Sequence, residues 1–61
     1  MSLADALLRA MRPAHFLTRE QVVERLRVHH PNATALQIDR AFAKLLRQGL
    51  AVRRADGMFC R

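Results

Sequence analysis

Two four-residue segments constrain this chain more than anything else in it. Thr18-Arg19-Glu20-Gln21 and Thr34-Ala35-Leu36-Gln37 each place a hydroxyl three residues before a side-chain amide. At that spacing the threonine oxygen accepts the glutamine N–H, and the glutamine side chain reaches back to the threonine N–H. Two donors that a helix start leaves orphaned are then both satisfied. Leu17 with Val22, and Ala33 with Ile38, hold the hydrophobic staple positions around these starts. A helix is therefore expected over 19–30, with Val22, Val23 and Leu26 as its apolar stripe and Pro31-Asn32 as its end. A further helix is expected over 35–48, stopped by Gly49 with Leu50 packing behind it.

Ahead of both, Ser2 opens a stretch in which Leu3, Leu7, Leu8 and Met11 recur at helical spacing. Asp5 lies in its first turn, where the helix dipole favours an acid. Pro13 closes it, which predicts a first helix over 3–12. Past Gly49 the period changes. Leu50 and Val52 alternate with Ala51 and Arg53, Asp56-Gly57 is a hairpin turn signal, and Met58-Phe59-Cys60 supplies a short return strand. The expected fold is mainly α with a small β-hairpin, a single domain over 1–61. Three helices followed by a C-terminal wing at 50–61 is the element order of a winged helix-turn-helix.

Composition narrows the function. The chain has 61 residues, 51% of them hydrophobic and 26% charged, which is globular and not disordered. No run approaches the roughly 18 apolar residues of a membrane span. The N-terminal residues lack the basic-then-apolar pattern of an export signal. The single Cys60 cannot close an internal disulfide and suits a reducing compartment, so a cytoplasmic protein is expected. Eleven Lys/Arg oppose five Asp/Glu, a net charge of +6, and ten of the eleven cations are Arg. That excess is the footprint of a polyanion partner, and arginine is the cation suited to phosphates and guanine edges.

The third helix concentrates this signal. At about 100° per residue, Ile38, Ala41, Phe42, Leu45 and Leu46 share one side, which must face the core. The opposite side carries Leu36, Gln37, Arg40, Lys44 and Arg47, with Asp39 at the flank. An amide and three cations match a major groove, where Gln pairs with adenine and Arg forks onto guanine. Gln37 and Arg40 are the candidate base contacts. Thr34, Lys44 and Arg47 are candidate backbone contacts, joined by Arg53 and Arg54 ahead of the hairpin tip. Leu36 suits either a thymine methyl or a protein contact.

From Phe16 onward, about 46 of the 61 residues, the chain resembles the DNA-binding domain of the ferric uptake regulator family. The residues are Leu17 to Arg27, then His30-Pro31-Asn32, then Gln37-Ile38-Asp39-Arg40, then Leu45 to Leu50 ending in Gly-Leu, with Arg53-Arg54. The resemblance implies a winged helix-turn-helix on duplex DNA and a DNA contact at Arg40, which matches the family's arginine. Gln37 and Asp39 stand where the family has Thr and Tyr, so the DNA sequence read must differ. Phe16 stands where the family has a metal-ligating His, with His15 one place off. The family's C-terminal dimerisation and metal-sensing domain has no counterpart.

Catalysis and metal chemistry find no constellation. His15, His29, His30 and Cys60 lack metal-ligand spacing, and no nucleophile triad, phosphate loop or carboxylate pair assembles. No enzyme activity, cofactor, metal or small-molecule substrate is expected. The leading expectation is a sequence-specific regulator of transcription on double-stranded DNA. One small domain binds weakly, which implies a homodimer or a larger protein partner. Leu3, Leu7 and Met11 on the first helix are the candidate dimer or partner surface, unless they complete the core. The alternative is a small protein-binding winged helix, an inhibitor or adaptor of a nucleic-acid-processing complex, which Leu36 and Asp39 favour. Single-strand binding is disfavoured by three Phe and no Tyr or Trp.

Overall fold

The computed structural model describes residues 2–61. Three helices precede a two-stranded antiparallel hairpin: α1 (Leu3–Ala10), α2 (Arg19–Leu26), α3 (Ala35–Arg47), β1 (Val52–Arg53) and β2 (Phe59–Cys60). Each helix begins at the hydroxyl its sequence supplies. Ser2 Oγ accepts the Asp5 N–H at 3.2 Å. Thr18 and Gln21 close a complete capping box at 3.1 and 2.9 Å, and Thr34 and Gln37 another at 3.2 and 3.0 Å.

Two helix ends come earlier than the expected 3–12 and 19–30. Met11 is already extended (φ −87°, ψ 149°), because Pro13 bars its predecessor from helical geometry and the break propagates back one residue. Arg12 and His15 then form an isolated antiparallel bridge. The α2 helix stops at Leu26, whose carbonyl accepts both the His29 and the His30 N–H at 3.0 Å. Residues 27–29 are a turn. The Arg27 guanidinium donates to the Pro31 and Ala33 carbonyls at 3.2 and 3.0 Å, which folds the chain back on itself toward α3.

The end of α3 is close to the expected one. Gly49 has φ 73°, its N–H bonds the Leu46 carbonyl at 3.2 Å, and the Leu50 N–H bonds the Leu45 carbonyl at 3.0 Å. This pair of bonds is a Schellman closure, which requires a left-handed residue at Gly49. Gly49→Ala is therefore expected to lower stability by about 1 kcal/mol, since L-residues pay that much in this region. A urea melt checks it, and an unchanged midpoint would contradict the strain.

The hairpin pairs Val52 with Cys60 and Arg53 with Phe59. Its tip closes through Gly57 N–H to the Arg54 carbonyl at 2.9 Å, with Gly57 at φ 86°. The other edge of β2 is tied to the segment before α2: Leu17 and Phe59 exchange both backbone bonds at 2.8 Å. The hairpin is thus anchored to the segment before α2.

Helix α1 packs against both α2 and α3. The core holds Ala6, Leu7, Met11, Val22, Leu26, Ile38, Phe42, Leu45 and Phe59, with the Phe42 and Phe59 rings 4.4 Å apart at 37°. Two expectations are corrected here. Leu7 and Met11 are fully buried, so they complete the core and offer no dimer or partner surface; Leu3 is half-buried against the same cluster. Leu50 does not pack behind Gly49. Ala51 turns inward instead, while Leu50 and Val52 are about half exposed. No helix among the described residues is long and apolar enough to cross a membrane.

Candidate nucleic-acid interface

The inward side of α3 is occupied by Ile38, Ala41, Phe42 and Leu45. The helical period therefore forces the residues between them outward. Gln37, Arg40, Lys44 and Arg47 are all exposed, as is Leu36 at 59%. Among the described residues, Arg40, Lys44 and Arg47 have no ion-pair partner. Three cations without ion-pair partners thus lie along one ridge, and Arg53 on β1 is likewise exposed and without one among the described residues.

Asp39, the acid of α3, is removed from that balance. Arg19 at the start of α2 bridges its carboxylate, and the same guanidinium lies 5.6 Å from the Phe42 ring centre. Asp39 is then a locally neutralised flank and a tie between α2 and α3. This pairing spans 20 positions in the chain and leaves no local signal, so the sequence pattern marks Asp39 only by its place at the flank of the outer face.

Three candidate contacts, Gln37, Thr34 and Arg54, are committed within the chain. Gln37 spends its Oε1 on the Thr34 N–H, and Thr34 spends its hydroxyl oxygen on the Gln37 N–H. The Gln37 side-chain NH2 remains to donate outward, while the paired donor–acceptor reading of adenine would compete with the cap. Arg54 is caged. Its Nε and Nη2 hold the Asp56 carboxylate at 2.6 to 3.2 Å, Nη2 also meets the Met58 sulfur at 3.1 Å, and the guanidinium lies 4.4 Å from the Phe16 ring centre. Its charge is spent on Asp56, so Arg54 fixes the hairpin tip against the segment before α2. Arg53 on β1 is exposed and has no ion-pair partner among the described residues.

This cage titrates. The Arg54 hydrogen bond, and next the Met58 N–H, hold the Asp56 carboxyl below the usual carboxylate range, and the same bond raises Arg54. A carboxyl whose folded pKa lies below its unfolded value contributes fully above the unfolded pKa, about 3.9, and loses that contribution as pH falls through the folded value. The hairpin tip is expected to stay closed down to about pH 4 and to loosen below it. Following the Met58 amide by NMR checks this; a midpoint above the ordinary aspartate range would contradict it.

Beside the ridge, Leu3, Gln37 and Arg40 wall an open concavity of about 600 Å³ over the α2–α3 turn, where His29 and His30 also lie. Among the described residues no three His, Cys, Asp or Glu side chains gather in a way that could hold a metal ion. Cys60 is free and buried. Compared with protein families, curated proteins and solved structures, the chain matches none.

Proposed function

We propose that this chain is a winged helix-turn-helix module that binds double-stranded DNA and regulates transcription in the cytoplasm. Helix α3 enters the major groove and the hairpin rests on the backbone. The observation that carries this is the unpaired ridge of Arg40, Lys44 and Arg47 on the outer face of α3, with the neighbouring acid already matched to Arg19. Arg40 is the base reader, as its resemblance to the arginine of the ferric uptake regulator family also suggests. Gln37 adds a single donor from its NH2. Lys44, Arg47 and Arg53 hold phosphates, and the exposed N-terminal turn of α3 at Thr34 lies against the backbone.

The tie between Leu17 and Phe59 supports the wing's part, because it sets the hairpin at a fixed place beside α2. Arg54 positions that hairpin through Asp56 and Phe16 instead of contacting phosphate. A module this small reads a short half-site, so specific regulation calls for a second copy on a palindrome or a larger partner. With Leu7 and Met11 inside the core, such an assembly uses other surfaces.

Fluorescence anisotropy on duplex DNA over a salt series tests the reading. Affinity is expected to fall steeply between about 50 and 200 mM salt, with a logarithmic slope near −0.9 for each phosphate neutralised. A slope near zero would remove the ridge as a backbone contact. Selection from a random duplex pool should then enrich one short motif; no enrichment would end the claim of sequence reading.

A further inference from the structure

Where the end of α2 lies against the flank of α1, the two helices leave an open groove of about 340 Å³. Buried Ala6 and Ala10 form its floor, and exposed Arg9, Arg25, Val28 and His29 form its rims. Val28 is 77% exposed, more than any other large hydrophobic residue among those described. It lies in the turn just past α2 and contributes nothing to the core. Arg9 and Arg25 have no ion-pair partner among the described residues, and no acid lines the groove.

We propose that this groove docks an acidic amphipathic segment of a partner protein. One apolar side chain of that segment sits over Ala6 and Ala10 against Val28, and its carboxylates meet Arg9 and Arg25. Small floor residues let an incoming helix come close, and the cationic rims select its charge. A phosphate backbone has no use for an alanine floor and an exposed valine. A second copy of this chain would bring +6 against +6, with arginines facing arginines. The groove shares no residue with the cationic ridge of α3, so docking here leaves that ridge free. This inference goes beyond DNA binding and does not rest on it.

The test uses two labelled peptides of identical composition, leucine and glutamate. In one the leucines fall at helical i, i+3, i+4 spacing; in the other they are scattered. The whole chain is expected to bind the first at least roughly tenfold more tightly than the second. Its NMR perturbations should centre on Ala6, Ala10, Arg25 and Val28. Val28→Glu and Arg25→Glu are each expected to weaken binding roughly tenfold with unchanged melting and with duplex DNA still perturbing α3. Val28→Ser serves if Val28→Glu melts early. Arg40→Ala should leave peptide binding as it was. Equal affinity for the two peptides, perturbations centred on α3, or indifference to Val28 would each overturn the proposal. A chain that binds duplex DNA but neither peptide overturns it while leaving the DNA reading intact.

Discussion

Phe42→Ala is expected to leave the chain largely unfolded at physiological temperature. Phe42 is 4% exposed, and its ring meets that of Phe59 across the junction of α3 and the hairpin. Removing such a ring costs about 3–5 kcal/mol, counting lost transfer energy and the cavity left behind. A core in a chain under about 70 residues rarely supplies more than about 3–5 kcal/mol in total. The loss is therefore comparable to the whole stability. Far-UV circular dichroism on heating should show little cooperative transition, whereas Leu50→Ala, at a half-exposed site, should melt within a few degrees of the parent. A cooperative melt for Phe42→Ala close to that of the parent would mean that the hairpin's Phe59 is not packed on α3 through Phe42.

The second large effect concerns DNA. Arg40→Ala is expected to cost about 1–3 kcal/mol on the preferred duplex and to relax the choice at one base pair. Lys44→Ala should weaken all duplexes alike and reduce the salt slope by about 1. Under the proposed DNA binding the difference follows from position: Arg40 lies one turn nearer the start of α3, the end from which recognition helices read base edges, and Lys44 lies one turn further along. Equal losses on preferred and random duplexes for both variants would make the ridge a purely electrostatic contact.

Much of the fold is legible in the sequence because its signals are local. Thr18 with Gln21, Thr34 with Gln37, and Gly49 followed by Leu50 each act within a few residues, so the bonds they make can be read from spacing alone. The early end of α2 is different. There Arg27 reaches the carbonyls of Pro31 and Ala33, and nothing in a helical period announces that an arginine will bend back. The period of α1 identifies an apolar stripe, yet it cannot say whether another helix or another molecule covers that stripe. Only the packing of α1 on both α2 and α3 shows Leu7 and Met11 to be core. At Leu50 and Val52, strand alternation names two faces without naming the inner one, and the closure around Gly49 sends Ala51 in.

The ridge on α3 was legible for the same reason as the helix itself: its inner face is unambiguous, so its outer face is too. What helical spacing could not reveal is which charges pair with each other. Arg19 with Asp39 matches the acid flanking the ridge, and Arg54 with Asp56 pairs one of the two hairpin arginines ahead of the tip. Both pairs depend on tertiary geometry or on hairpin closure.

The most direct measurement is an NMR titration of the labelled chain with its selected duplex at moderate salt. The largest amide perturbations should fall on Gln37, Arg40, Lys44 and Arg47, with a second group at Arg53, and should leave Ala6, Ala10 and Val28 still. Perturbations centred on α1 and the end of α2, or none along α3 at saturating duplex, would contradict a DNA-binding ridge on the third helix.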